Sequence, residues 1–180
     1  TTPNAVQVMT IHGSKGLEFP VVFLVNATHQ INQQDLRQNY LLDSTGGIGI
    51  TWFDPQQRVK MATLTKVLLQ DRAQKKLAAE QMRLLYVALT RAEQKLIITG
   101  SYSSRDEALK QWATAEQSQQ LLLPDSLRQR TKSFMDWIGA GLFCHPAVSK
   151  TFEQQSVSLT KLEEFGARFQ FNWYSAADFP

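Results

Sequence analysis

Apolar residues along the chain gather into three short runs rich in β-branched side chains, VQVMTI (6–11), VVFLVN (21–26) and KLIITGSY (95–102). Such runs predict buried strands of a parallel sheet. Between the second and the third, GGIGITWFDP (46–55) alternates between turn residues and predicts a hairpin or an edge strand. From Leu64 to Ala92 no Pro or Gly interrupts the chain. Leu77, Leu84, Leu85, Ala88, Leu89 and Ala92 recur there at helical spacing, which predicts one long amphipathic helix. Strand, loop, strand, helix, strand is the order of an α/β layered fold. A further helix is expected over 104–118, with Ser104 or Asp106 near its N-cap.

The pattern changes at AEQSQQLLLPDSLRQR (115–130), a Gln-rich passage with Pro124 that reads as a connector. FMDWIGAGLFCHPAV (134–148) resumes as a helix, with Phe134, Trp137, Ile138, Leu142 and Phe143 on an apolar stripe closed by Pro146. The tail ends in alternating Phe169, Phe171 and Trp173, which predicts a strand. The organisation expected is a domain over 1–118, a connector over 119–130 and an extension over 131–180.

Composition narrows the class. A chain of 180 residues with 43% hydrophobic content suffices for one core, or one core with an appendage. No apolar run approaches the roughly 20 residues that cross a bilayer as a helix, so no membrane partner is expected. TTPNAVQVMT has neither a basic start nor an apolar stretch for export, and the missing initiator Met suggests a piece of a longer chain. Cys144 is the lone cysteine, which excludes an intramolecular disulfide and a multi-cysteine zinc site and fits a reducing cytoplasm. Charge is uneven: residues 58–95 hold nine Lys/Arg against Asp71, Glu80 and Glu93, a net of +6, and residues 151–180 carry −2. A basic segment suits a polyanion, although a solvated helix face is the commoner origin of such a run.

Two stretches carry candidate chemistry. In TIHGSKGLEF (10–19) two glycines bracket Ser14 and Lys15 just after a predicted strand. Glycine permits the positive φ that turns successive N–H groups toward an anion, and Lys15 adds a mobile charge. This is not the G-x-x-x-x-G-K-[ST] phosphate loop, and alone it reads more simply as a structural turn. His12 at a strand end has an equally plain reading as a hydrogen-bonded structural residue. His29 and His145 show no ligand spacing to it, so no metal site is expected. Cys144 beside His145 cannot present a nucleophile to a base on the adjacent residue. In EQMRLLYVALTRAEQKLIITG (80–100), Arg91 ends the basic helix immediately before a strand. It can serve as a C-terminal cation on the helix dipole, or project toward a nucleotide bound elsewhere.

Together the two stretches are far more specific. MTIHGSKGLEFPVVFL resembles motif V, and MRLLYVALTRAEQKLII motif VI, of the UvrD/Rep-like superfamily 1 DNA helicases, in the expected order. The intervening sequence and FMDWIGAGLFCHP are similar to the A subunits of AddAB/RexAB-type ATP-dependent helicase–nucleases, so the likeness covers residues 4–148.

The resemblance implies a RecA-like, P-loop NTPase-type domain, the second and here incomplete motor domain (2A), with a parallel sheet flanked by helices and a C-terminal helical and strand extension. It implies ATP as substrate and Mg2+ beside it, single- and double-stranded DNA as partners, an N-terminal motor domain on the same chain and a B-type partner subunit. Thr10 and His12 match positions that touch the DNA backbone. Lys15, Gly16 and Glu18 match the side facing the nucleotide, with Glu18 accepting from a ribose hydroxyl. Arg91 matches the arginine finger that stabilises charge on the γ-phosphate. Arg83 and Tyr86 match residues that position this region, whereas Gln81 and Met82 depart from the Glu-Glu-Arg-Arg common among related helicases. The expected function is the motor half of a helicase–nuclease subunit that couples ATP hydrolysis to translocation on single-stranded DNA in double-strand-break repair and recombination. Two alternatives stand: a plain superfamily 1 helicase without nuclease, and a non-catalytic DNA- or protein-binding module. Without the phosphate-loop lysine or the Asp-Glu pair for Mg2+, the chain alone is expected to be inactive.

Overall fold

The computed structural model describes residues 5–113, 123–143, 145, 148 and 169–178. The chain divides into two compact units, Thr1–Val25 with Gln30–Thr99, and Asn26–His29 with Gly100–Pro180. The first holds β1 (Phe19–Leu24), β2 (Tyr40–Asp43), β3 (Gly47–Asp54), β4 (Val59–Ala62), α1 (Leu64–Leu89) and β5 (Ala92–Ile98). The second holds α2 (Arg105–Trp112), α3 (Asp125–Arg130) and α4 (Phe134–Leu142).

Strands β1 and β5 pair in parallel, Phe19 opposite Ala92 and Leu24 opposite Ile98. Parallel neighbours require a long crossover, commonly helical, and here it carries α1. The α/β reading with a parallel pair and flanking helices therefore holds. The strand expected over 6–11 does not form. Val6 and Val8 are 94% and 95% exposed, and the first regular element is a 3-10 turn at His12–Ser14. A β-branched run becomes a strand only beside an edge that takes up its N–H and C=O groups. Among the described residues β1 and β5 pair only with each other.

The hairpin alternative for GGIGITWFDP holds: it supplies β3, which pairs antiparallel with both β2 and β4 and is the middle strand of that sheet, not an edge. The β2–β3 turn is knotted by the Asp43 carboxylate, which accepts from the Thr45 hydroxyl at 2.8 Å and the Gly46 and Thr45 N–H groups at 2.7 and 3.0 Å. These bonds, the Thr45 hydroxyl foremost, hold the Asp43 carboxyl down to about 2. Helix α1 opens at Thr63, whose hydroxyl oxygen accepts the Lys66 N–H at 3.3 Å and whose hydroxyl donates to the Ile50 carbonyl at 2.9 Å. One threonine therefore caps the helix and closes the sheet beside it.

Where β3 crosses α1, Gly49 lies against backbone: a Cβ there would stand 2.5 Å from Lys66 Cα. Lys66 is itself buried and donates to the Thr51 hydroxyl. Gly49→Val must push sheet from helix, and overpacking of this kind costs about 1–3 kcal/mol. The expected reading is faster amide exchange across β2–β4 in the full-length protein, and unchanged exchange would show that the crossing yields freely.

In the second unit Ser104 caps α2, its oxygen accepting the Glu107 N–H at 3.1 Å. Residues 114–118 of the helix expected over 104–118 lie outside the described residues. The described part of the expected connector is the short helix α3. Ala108, Trp112, Phe143 and Val148 form a buried core. A Cβ on Gly139 of α4 would stand 2.1 Å from the Trp112 indole. The Tyr102 hydroxyl donates to Asp136 Oδ1 at 2.8 Å and accepts from Trp112 Nε1 at 3.1 Å. Burial first, then the Asp136 bond, pushes the Tyr102 phenol well above its usual range. Phe169, Phe171 and Trp173 pack against this core while Gln170, Asn172 and Tyr174 face outward, yet they form no strand. Alternating burial survives there without a ladder to pair with. Cys144 lies outside the described residues.

Candidate functional site

The stretch TIHGSKGLE folds as a tight turn leading into β1. Thr10 Oγ1 accepts the Gly13 N–H at 3.2 Å, fastening Thr10 to the 3-10 turn at His12–Ser14. Ser14 is buried at 7% exposure and its hydroxyl donates to the Ile11 carbonyl at 2.8 Å. The Lys15 N–H closes on the His12 carbonyl at 3.4 Å, and the Leu17 N–H on that of Ser14 at 3.0 Å. Gly16 has φ +81°, in the left-handed region that glycine adopts without strain, and open space where a Cβ would stand. The side chains of His12, Lys15 and Glu18 are exposed around this knot. Internal bonds thus satisfy the turn while its charged groups face outward.

Helix α1 brings the other half. Its buried side runs through Leu69, Leu85 and Ala88, and its last turn ends at Thr90. Arg91 follows and is half-buried. Arg91 Nε donates to the Val87 carbonyl at 2.9 Å, Nη1 to the Leu17 carbonyl at 2.8 Å, and Nη2 to Thr90 Oγ1 at 3.0 Å. The backbone joins the same two segments, because the Phe19 N–H donates to the Arg91 carbonyl at 3.0 Å. A cation on the last carbonyls of a helix is favourable in itself, and this one also reaches across to the Gly-Ser-Lys-Gly turn. The fold therefore brings Arg91 to Leu17, between Gly16 and Glu18. Thr10 and His12 lie at the opposite end of the turn from Leu17 and bond neither Arg91 nor its partners.

Arg83 and Tyr86 are exposed on α1, and the Tyr86 carbonyl accepts the Thr90 hydroxyl at 2.9 Å. Sequence reasoning passed over Thr90 and the Leu17 carbonyl. A threonine just before the arginine at a helix end is a readable signal, since its short hydroxyl bonds the last carbonyls. A main-chain acceptor such as Leu17 leaves no trace in residue type.

The guanidinium carries five N–H groups, and three are engaged here, one on each nitrogen. One N–H remains on each terminal nitrogen, a pair suited to two oxygens of an anion. The exposed Lys15 ammonium and the bare Gly16 backbone are of the kind that phosphate requires. Among the described residues no group of three or more His, Cys, Asp or Glu could hold a metal ion, and no helix is long and apolar enough to cross a membrane.

Comparison with known proteins identifies the family. A family model described as the UvrD-like helicase C-terminal domain matches residues 1–103. The A subunit of the ATP-dependent helicase/nuclease of Ligilactobacillus salivarius is 51% identical over 180 residues, covering 97% of this chain and 14% of that protein. The proteins of the same name from Pediococcus pentosaceus and Bacillus pumilus are 45% and 44% identical, covering 84% and 85% of this chain and 12% of each relative. The chain thus spans 14% or less of the length of these relatives.

Proposed function

The chain belongs to the UvrD-like helicase C-terminal domain family, and from that premise we propose that it is part of the second motor domain in the A-type chain of an ATP-dependent DNA helicase–nuclease. The observation that carries this reading is the Arg91 guanidinium bonded to Leu17 at 2.8 Å, which ties the two motif-bearing segments into one piece. Arg91 acts on the γ-phosphate of ATP held chiefly by the first motor domain of the same polypeptide. Lys15, Gly16 and Glu18 line the near side of that nucleotide. Mg2+ is held with ATP by residues of the first domain.

Thr10 and His12 contact the phosphate backbone of single-stranded DNA. A hydroxyl and an imidazole N–H suit contacts that position without reading sequence. Thr10 and His12 belong to the turn that Arg91 grips through Leu17, so closing on ATP displaces the DNA contacts with it. Repeated closing and opening moves the motor along a strand in cytoplasmic repair and recombination, in company with a B-type subunit. Residues 131–180 lead toward a downstream nuclease domain.

His12→Ala in the full-length protein tests the DNA-facing role. Loss of one hydrogen bond to a charged group, about 1.5 kcal/mol, weakens single-strand binding roughly tenfold. ATPase activity without DNA is expected to stay near wild type. Unchanged DNA affinity in a binding titration removes His12 from the interface.

A further inference from the structure

The antiparallel sheet is built inside out. Residues paired across neighbouring strands, and alternate residues along a strand, share one face. Tyr40 pairs with Ile50, Leu42 with Ile48, and Trp52 with Met61, so these six side chains stand together. All are apolar, and each is between 47% and 68% exposed. The opposite face carries Gly49 and Thr51, which meet Lys66 of α1. The one acid that shares the outward parity, Asp54, sits at the end of β3, where its carboxylate accepts the Gln56 and Gln57 N–H groups. A contiguous apolar face of this extent is what soluble monomers rarely leave bare.

The chemistry of the face selects its cover. A base-stacking platform for single strands sets cations beside its aromatic rings, and none of these six residues is charged. Six apolar residues with the one acid held at the margin resemble the permanent, core-like interfaces rather than transient ones. Room for a permanent cover is ample, since the match takes up 14% of the Ligilactobacillus salivarius relative and leaves the other 86% outside it. We infer that the Tyr40–Ile50–Trp52 face of β2–β3–β4 is the seat of another folded part of the same polypeptide, one that presents an uncharged apolar surface. This rests on the length of the family members and not on the motor reading.

The test is photo-cross-linking of the full-length protein, with benzoylphenylalanine in place of Ile50 and, in a second variant, in place of Met61. It is run without nucleotide or DNA, with and without the B-type partner, and linked peptides are identified by mass spectrometry. The expected product keeps monomer size on a denaturing gel and joins β3 or β4 to a peptide outside these 180 residues, from both positions. A dimer-sized product would assign the face to a second copy, and a product with the B-type partner would assign it there. A link within the 180 residues, or no link from either position, equally overturns the inference. None of these readouts involves ATP turnover, so failure here leaves the Arg91 assignment untouched.

Discussion

Arg91→Ala in the full-length protein is expected to abolish DNA-stimulated ATP hydrolysis while ATP still binds. Arginine fingers that neutralise charge on a transferring phosphoryl group are worth about 10³–10⁵ in kcat, and the loss should fall in that range. The geometry explains why lysine would not rescue it. Arg91 holds Val87, Leu17 and Thr90 with three N–H groups and keeps one on each terminal nitrogen for phosphate oxygens. A lysine ammonium has three donors from a single atom and cannot span those partners and an anion together. Arg91→Lys should therefore fall close to Arg91→Ala. Because Arg91 also braces the turn at Leu17, the kinetics must be separated. A fall in kcat at saturating ATP marks the charge acting in the transition state, whereas a rise in KM alone marks a turn set loose. Near-normal turnover in the alanine variant would refute the finger assignment.

The second large effect concerns stability. Trp112 is 2% exposed, with the indole edge-on to Tyr102 at 5.7 Å and to Phe171 at 5.9 Å. Trp112→Ala is expected to cost the second unit about 3–5 kcal/mol, the range for truncating a buried large aromatic. Two features keep it toward the upper end. Gly139 brings α4 directly against the indole, leaving a void that rigid backbone must close. The Tyr102 hydroxyl also loses the Nε1–H donor. Hydrogen exchange over 100–112 and 134–143 should accelerate while that of α1 does not. Protection unchanged in α2 and α4 would mean that the core of this unit lies elsewhere.

Much of the fold was legible because its signals were local. The β-branched runs at 21–26 and 95–102 announce β1 and β5, and the unbroken stretch from Leu64 announces α1 to within three residues of its end. Ser104 sits where an N-cap belongs and acts as one. The failures were non-local. Residues 6–11 look like a strand in composition, but a strand needs a partner for its N–H and C=O groups, and these residues pair with no strand among the described residues. Phe169, Phe171 and Trp173 alternate as a strand would and bury the expected side chains without pairing. Gly49 and the outward face of β2–β4 were missed because a hairpin's alternation does not say which side is covered. The candidate site divides in the same way. Residue types flagged Lys15, Gly16 and Arg91, and the motif resemblance added Glu18, but only the parallel register of Phe19 with Ala92 places Arg91 beside Leu17.

Helix α1 also makes the distance between sheet and arginine a question of phase. Thr63 fastens its first turn to the β3 carbonyl of Ile50, and Arg91 fastens its last to Leu17. At about 1.5 Å and 100° per residue, the 26 residues of α1 set both how far apart and how rotated those two anchors are. One residue added or removed within the helix would swing Arg91 roughly a quarter-turn away from its carbonyl while hardly changing the span. Change in whole turns would restore the direction but shift the reach by about 5.4 Å. The helix is thus a ruler with angular as well as linear graduations, and sequence drift along its exposed face is free only so long as its length is not.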